Sequence, residues 1–408
     1  MAIQFEEALE LVLADVVALG NERISLVDAL GRTLGSDVVA SRSLPPADNS
    51  AMDGYALRAH EQGVELPVTA TIPAGVGVPA PLPPGQAARI FTGAPIPLGA
   101  DTVVAQECTS RDGEGPVRVV IPEPRGGNVR RAGEDVRAGD RLLVVGSVLG
   151  PAQIGLLAGQ GVVGVSVVRR PVVAILATGD EVHEPGDPLP DGHIYSSNGA
   201  TLMARVLEAG GIPRSLGIAR DDQASIEAAL AGIAGADVVL TIGGVSVGEY
   251  DFVKEAIAAL GGEQTFWTVR VRPGKPNAFG RIGGARWFGL PGNPVSCDVS
   301  FLLYVRPAMM ALQGRADRFL PTADAILQEP LRKKAGFMLM LRGEHRREAD
   351  RLLVRTTGPQ GSGIQSSMAR ATCLLALPED AVELAEGDTV RVILLPGVDT
   401  GQHALNLR

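Results

Sequence analysis

Short apolar segments alternate with helix-like segments between residues 171 and 313, and this alternation constrains the fold more than any other feature of the chain. Strands that alternate with helices are typical of βαβ units around a parallel sheet. We therefore predict an α/β module with a mostly parallel sheet in this region. The predicted strands are 171–177, 215–219, 237–241, 266–271 and 287–290, and the predicted helices are 199–209, 223–233, 251–260 and 295–312.

The rest of the chain predicts further domains, because 408 residues are too many for one compact core. Short β-like runs separated by proline and glycine clusters fill residues 45–140 and again 321–408. The prediction is a multidomain α/β protein in four parts: an N-terminal mixed domain from residues 1–44 and 141–170, an inserted β-rich domain at 45–140, the α/β domain at 171–320 and a C-terminal β domain at 321–408.

Composition and charge argue against several classes of protein. The net charge of −9 disfavours binding to nucleic acid, whose phosphates attract basic surfaces. Three cysteines without a C-x-x-C pair disfavour a disulfide framework or a zinc knuckle. The acidic N-terminus does not resemble an export signal, and the uncharged segment 142–168 contains the proline and glycine turns of a strand–helix–strand unit, unlike a membrane span. We expect a soluble, cytoplasmic protein that binds neither membranes nor nucleic acid.

Acidic residues follow the predicted strands of the α/β module, at the edge where such folds bind ligands. They are Glu181 after the first strand, Asp221 and Asp222 after the second, and Asp251 after the third. A single acidic residue in such a place commonly caps the next helix. Three acidic positions on one rim, however, provide the hard oxygen ligands that Mg²⁺ prefers.

Glycine and lysine residues on the same rim indicate an anionic ligand. Gly243 and Gly244 allow the backbone to approach an anion closely, ahead of a helix N-terminus. Lys275 lies between prolines and a glycine, and is either a rigidly held cation or an ordinary surface lysine. Together with the carboxylates, these residues predict a nucleotide or phosphorylated ligand held with a divalent metal.

A competing motif, G-x-S-x-G, spans residues 244–248 and places Ser246 between a strand and a helix, as in the nucleophile elbow of α/β-hydrolases. Such an enzyme also needs a histidine further along the chain. Only His345 and His403 follow, and both fall in the predicted C-terminal β domain. A serine hydrolase is therefore kept only as an alternative.

The segment 45–56 begins with two prolines and places two carboxylates, an amide, a hydroxyl and a phenol within eight positions. It has neither helical nor strand periodicity. Either Asp48, Asn49 and Ser50 bond to their own backbone in an Asx-type turn, or the loop is ordered because it holds a ligand.

Seven motifs, in order along most of the chain, resemble those of the molybdopterin molybdenumtransferases, the MoeA family that includes the gephyrin E domain. They lie at 48–56 (D-N-S-A-M-D-G-Y-A), 89–95, 131–135, 178–181, 243–249, 273–276 and 290–296. The resemblance implies a central module similar to the molybdopterin adenylyltransferase fold. It also implies insertion of molybdate into adenylylated molybdopterin, with Mg²⁺-assisted release of AMP. It further implies a homodimer whose active site lies between the 171–313 module of one subunit and the 45–140 module of the other.

Individual roles follow from the same resemblance, by match of motif. It implies catalytic roles for Asp53, Thr92, Glu181, Asp222 and Asp251, with Asp221 as the alternative to Asp222. It implies that Mg²⁺ is bound by Glu181, Asp222 and Asp251. It implies that substrate is bound by Asp135, Asp221, Gly243, Gly244, Ser246, Lys275 and Ser296.

One position departs from the family pattern. Ile242 stands where the family has a small hydroxyl residue, so this side chain cannot supply a hydroxyl contact to the ligand, and the sequence does not show the consequence. The sequence shows no adenylyltransferase domain, so we expect a separate enzyme to supply the adenylylated substrate. A non-catalytic scaffold of the same fold is the alternative, and the sequence does not distinguish molybdate from tungstate.

Overall fold

The computed structural model of the protein describes residues 2–244 and 252–397. These residues divide into two compact units. The larger unit contains the chain up to residue 24, residues 31–35 and the chain from residue 166 onward; the smaller contains residues 25–30 and 36–165.

The α/β module of the larger unit contains a six-stranded mixed sheet. Its elements, in chain order, are β1 Val172–Thr178, α1 Ser197–Glu208, β2 Ile212–Ala219, α2 Gln223–Leu230, β3 Val238–Ile242, α3 Phe252–Ala259, β4 Glu263–Thr268, β5 Pro276–Ile282 and β6 Ala285–Leu290. The sheet order is β2-β1-β3-β6-β5-β4. The first four strands are parallel, and β5 and β4 join them as an antiparallel edge. The predicted α/β fold class is confirmed.

The strand β5 is the main difference from the predicted element order. Pro276 and Gly280 look like strand breakers in the sequence, but Pro276 begins the strand, where a missing N–H is tolerated. A Cβ atom on Gly280 would lie 2.0 Å from the backbone oxygen of Glu263. The glycine therefore permits close pairing between β5 and β4 instead of ending the strand.

A long buried helix follows β6 and supports the sheet. This helix, α4, runs from Pro294 to Leu312 and includes one π-helical segment, Phe301–Val305. It is long and apolar enough to cross a membrane, but 94% of it is buried inside the protein. Its surroundings are therefore those of a core helix, packed in the same cluster as buried residues of β1, β3 and β6.

The larger unit also contains a closed C-terminal β structure and an N-terminal helix, Phe5–Leu13. Five strands form the ring: Thr322–Leu327, Met338–Glu348, Arg351–Thr356, Cys373–Leu377 and Thr389–Leu394. Val271–Arg272 pairs with the second of these strands. The unit also contains the helix Gln365–Arg370 and the short strands Val182–His183, Ile194–Tyr195, Leu331–Arg332 and Glu383–Leu384.

The smaller unit is built around a four-stranded sheet in the order Val68–Ile72, Ala87–Ile90, Gly54–Leu57 and Thr102–Ala105. Shorter strands pair beside it: Asn49–Ser50 with Val129–Arg130, Thr109–Arg111 with Val117–Val119, and Val38–Val39 with Arg141–Leu143. The uncharged segment 142–168 contains the helix Pro151–Gly159 and the strand Gly164–Val168; this strand and the strand Asn21–Ser25 each include residues of both units. The four-domain division stays a prediction.

Candidate active site

A cavity of ≈260 Å³ lies at the carboxyl edge of the parallel strands in the larger unit. Doubly wound α/β folds bind their ligands at this edge, because strand ends and helix starts converge there. The walls are formed by the ends of β1 and β3, the turns after β2 and β6, and the first residues of α1 and α4. Residues from these strand ends, turns and helix starts line the cavity, among them Thr178, Glu181, Ser197, Asn198, Asp221, Ile242, Gly243, Gly244, Gly292, Asn293 and Pro294.

The N-termini of α1 and α4 both border this cavity. Within the described ranges, neither N-cap residue, Ser196 or Asn293, makes a capping hydrogen bond with its side chain. The side-chain amide of Asn198 donates to the backbone oxygen of Gly292 at 2.7 Å and so joins the start of α1 to the loop before α4. First-turn N–H groups and the helix dipole favour an anion at such a place. In α4, however, Pro294 has no N–H and the Val295 N–H donates to the Ser362 backbone oxygen at 3.0 Å, so α4 contributes mainly its dipole.

The two glycines after β3 shape the floor of the cavity. Gly243 and Gly244 have φ of +86° and +60°. A Cβ atom would lie 2.9 Å from the Thr178 hydroxyl at the first position and 2.5 Å from a Val253 methyl at the second. The Gly243 N–H donates to the Leu290 oxygen at 3.0 Å, so this amide serves the backbone rather than an anion.

Two carboxylates, Glu181 and Asp221, line the same cavity. The pKa of Asp221 is raised, first by burial and then by the negative charges of Glu181 and Asp180. A carboxylate whose pKa is raised by neighbouring negative charges lies where a cation is favoured. Mg²⁺ commonly uses one or two protein carboxylates together with water and substrate phosphates, so the donor set fits this ion.

The structure separates the adjacent residues Asp221 and Asp222, and it does not support Asp222 as a metal ligand. Asp222 is the N-cap of α2: one carboxylate oxygen accepts from the Ser225 N–H at 2.8 Å and the other from the Ser225 hydroxyl at 2.7 Å. These bonds lower the pKa of Asp222. Because both oxygens already serve the cap and Asp222 does not line the cavity, Asp221 is the described candidate for the predicted ligand role.

The remaining predicted metal ligand, Asp251, and the predicted substrate-binding residue Ser246 lie outside the described residues. In the ranges 2–244 and 252–397, no group of three or more His, Cys, Asp or Glu side chains is arranged to hold a metal ion. The Mg²⁺ site therefore stays a prediction, with Glu181 and Asp221 as its described candidates.

Three other positions singled out in the sequence have different surroundings. Ile242 is buried in the apolar core and also lines the cavity, and its backbone oxygen accepts from the Thr178 hydroxyl at 3.2 Å. Lys275 is exposed, with its ammonium 5.9 Å from the centre of the Phe337 ring, and Ser296 is buried within α4. Neither Lys275 nor Ser296 is among the described residues that line this cavity.

The smaller unit contains a second polar cluster around Asp53 and Thr92. One carboxylate oxygen of Asp53 accepts from both the backbone N–H and the hydroxyl of Thr92, each at 2.7 Å. These bonds, with the nearby charge of Arg89, lower the pKa of Asp53. Asp53 is thereby held as a carboxylate with a fixed orientation.

The rest of the segment 45–56 is held by both local and distant bonds. The Ser50 hydroxyl donates to the Met52 oxygen at 2.5 Å, which is the local turn that the simpler alternative predicted. Asp48 instead pairs with Arg131 at 2.6 Å and accepts from the Ala132 N–H at 2.8 Å. The exposed predicted residue Asp135 is joined to the same region, through its backbone N–H and the Leu44 oxygen at 3.1 Å.

Sequence reasoning missed the start of α1. Ser196, Ser197 and Asn198 precede the predicted helix at 199 and are residues typical of helix N-termini, so the signal was present in the sequence. The contact between Asn198 and Gly292 joins positions 94 apart, and local patterns do not reveal such a contact.

The fold and the site define a multidomain α/β enzyme with a ligand cavity at the carboxyl edge of its central sheet, and comparisons identify the family. Three family models match in order: the MoeA N-terminal region (domain I and II) at residues 3–161, the probable molybdopterin binding domain at 174–311, and the MoeA C-terminal region (domain IV) at 324–395. The chain belongs to the molybdopterin molybdenumtransferase (MoeA) family. The resemblance read from seven motifs is confirmed, and with it an enzyme of molybdenum cofactor biosynthesis.

Similar proteins match over nearly their full length. The chain is 39% identical to molybdopterin molybdenumtransferase 2 of Mycobacterium tuberculosis, over 90% of this chain and 94% of that protein. It is 37% identical to the molybdopterin molybdenumtransferase of Haemophilus influenzae, over 91% and 93% respectively. The solved structure of the molybdopterin biosynthesis MoeA protein of Pyrococcus horikoshii matches with a TM-score of 0.81 and 30% identity, over 97% of this chain and 100% of that one.

Proposed function

We propose that the protein inserts molybdate into adenylylated molybdopterin and releases AMP, with Mg²⁺ bound at Glu181 and Asp221. The observation that carries this proposal is the cavity at the carboxyl edge, where two helix N-termini suited to phosphate adjoin two carboxylates suited to a divalent cation. A phosphoanhydride presents both requirements at once, because its phosphates are anionic and are bound in proteins together with Mg²⁺.

Binding of the substrate follows from the local chemistry. The first turn of α1, beside the dipole of α4, holds a phosphate group, and the cavity lined by Gly243 and Gly244 receives the attached pterin or nucleoside. Glu181 and Asp221 would hold the cation, which would supply positive charge for the phosphate of the departing AMP.

The polar cluster of Asp53 and Thr92 in the smaller unit is proposed to act on the molybdate and the dithiolene sulfurs. Asp53 is held ionised by Thr92, and the Thr92 hydroxyl is oriented by the same bond. We propose that this pair positions molybdate or the dithiolene sulfurs, and that it acts on the cavity of the partner subunit in a homodimer. The supports are the family resemblance and the ordered Asp53–Thr92 bond.

Three further expectations belong to the same proposal. The adenylylated substrate comes from a separate adenylyltransferase, the protein acts in the cytoplasm, and molybdate or tungstate serves as the oxyanion. They rest on family membership and on the composition of the chain.

The experiment is AMP release from adenylylated molybdopterin by the purified protein with Mg²⁺, with and without molybdate. We expect release that depends on molybdate. Absence of release in both conditions, from a folded protein, would instead support the scaffold alternative.

A further inference from the structure

We propose that the ion pair between Arg205 and Asp298 is a positioning device for the cavity, holding α1 and α4 at the angle at which their N-termini meet one anionic group of the substrate. The inference rests on the proposed function, because it assigns a phosphate of adenylylated molybdopterin to these two helix starts. Neither residue touches the ligand in this account, and both act through the helices that carry them.

The ion pair has a well-defined geometry. The Arg205 guanidinium donates to both carboxylate oxygens of Asp298, from Nε at 2.8 Å and from a terminal nitrogen at 3.2 Å. The side chains are only 18% and 8% exposed, so the pair is largely shielded from water. Two parallel bonds between planar groups fix orientation as well as distance.

A second tie lies at the cavity itself, where the Asn198 side chain donates to the Gly292 oxygen. Arg205 is seven residues beyond Asn198 on α1, which places the two ties about 10 Å apart along the helix. A single tie would leave the helices free to pivot about it. Two ties at this spacing fix the angle between α1 and α4, and with it the convergence of their N-termini.

Packing of α1 against α4 does not require the Arg205–Asp298 ion pair. Leu202 and Val206 of α1 belong to the same buried apolar cluster as Val295 and Val299 of α4. Buried ion pairs are often no more stabilising than apolar residues of similar volume, whereas breaking one partner alone is costly. The contribution particular to the Arg205–Asp298 pair is therefore the angle between the helices.

The test separates stability from substrate binding with the single variants Arg205→Met and Asp298→Leu and with the double variant. Arg205→Met leaves the buried Asp298 charge without its ion-pair partner, whereas in Asp298→Leu the Arg205 guanidinium keeps its bond to Glu208 at 2.8 Å. Both changes therefore lower the melting temperature, and Arg205→Met lowers it more. The double variant removes both charges, so its melting temperature recovers toward that of the wild type. We expect its KM for adenylylated molybdopterin to stay raised, by roughly five- to tenfold, with kcat within about twofold, because two helix N-termini no longer converge on the anion.

A matched control exists at the opposite edge of the same sheet. Arg169 pairs with both oxygens of Asp237, at 2.7 and 2.6 Å, just before β1 and β3 and away from the cavity. The corresponding double variant, Arg169→Met with Asp237→Leu, is expected to leave KM unchanged. Arg205→Lys is a second test, because lysine keeps the positive charge but cannot donate two parallel bonds to the Asp298 carboxylate. We expect its KM to rise about threefold while its melting temperature stays nearly constant.

The inference is overturned if the Arg205→Met/Asp298→Leu variant recovers both its melting temperature and a wild-type KM, since the pair would then be structural only. It is also overturned if Arg205→Lys leaves KM unchanged. The equilibrium Kd for adenylylated molybdopterin separates this inference from the proposed function. A wild-type protein that binds the compound without molybdate-dependent AMP release refutes the reaction and leaves the pair tested through Kd, whereas one that does not bind it refutes both.

Discussion

The adjacent residues Asp221 and Asp222 have different surroundings, so substitutions at the two positions should have different effects. Asp221 lies in the cavity beside Glu181, whereas Asp222 caps α2. The change Asp221→Asn keeps the shape of the side chain and removes one of the two described carboxylates that face the proposed cation. We therefore expect the Mg²⁺ concentration that half-saturates AMP release to rise, while the protein remains folded.

The size of the effect follows from the position of the carboxylate. Two unit charges about 4 Å apart attract by about 4 kcal/mol at the effective dielectric near a protein surface. Asp221 is half-buried, so solvent screening reduces this to about 1–2 kcal/mol, or roughly 5- to 30-fold in Mg²⁺ concentration. The free energy of unfolding at pH 7 should not fall, because a carboxylate whose pKa is raised by folding opposes folding once it is ionised.

The assay is a Mg²⁺ titration of AMP release over a range of pH, with Asp222→Ala as the matched control. The control loses the cap of α2, so it should lower the free energy of unfolding and leave the Mg²⁺ requirement unchanged. In the wild type, the Mg²⁺ requirement should increase as the pH falls through the raised pKa of Asp221, because protons compete with the cation. The reasoning is refuted if Asp222→Ala, and not Asp221→Asn, changes the Mg²⁺ requirement.

Three further predictions concern other parts of the molecule. Thr92→Val removes one of the two bonds to Asp53, so the Asp53 pKa should rise toward its ordinary value and molybdate-dependent AMP release should fall; an unchanged pKa by NMR titration would contradict this. Arg342→Met should lower the free energy of unfolding in urea by about 3 kcal/mol, because the fully buried guanidinium bonds carbonyl oxygens at 360 and 361 that would lose their donors; a loss below about 1 kcal/mol would argue against that role. Asp53→Asn and Glu181→Gln, each inactive alone, should together give about a quarter of wild-type activity when coexpressed, because half of the dimers then contain one intact site; no activity in the mixture would refute an active site shared between subunits.

Much of the α/β module was predictable from the sequence because its signals are local. The strands β1 and β3 are buried runs of apolar residues, and the helices between them have clear periodicity. The strand β5 was not predictable, because Gly280 is required by the close approach of Glu263 in β4, and the sequence alone does not show this pairing. Proline and glycine therefore give a wrong prediction of where a strand ends when pairing with another strand determines the structure.

The sequence predicted which loops form the candidate site, but it did not predict the contacts between their side chains. The predicted start of α2 at 223 already indicated Asp222 as its N-cap, and its neighbour Asp221 was the better ligand candidate on that ground. The raised pKa of Asp221 depends on Glu181 and Asp180, some forty positions away, so it required the fold. The Asp53–Thr92 bond likewise joins two motifs that the sequence shows only as separate segments.

The most direct measurement of the central claim counts AMP released and molybdenum bound to the pterin in one reaction, for the wild type and for Glu181→Gln. We predict equal amounts of both products for the wild type. We predict that neither product forms with the folded variant at the same Mg²⁺ concentration. Release of AMP without molybdenum insertion by the wild type, or full activity of Glu181→Gln, would contradict the assignment of this cavity as the site of insertion.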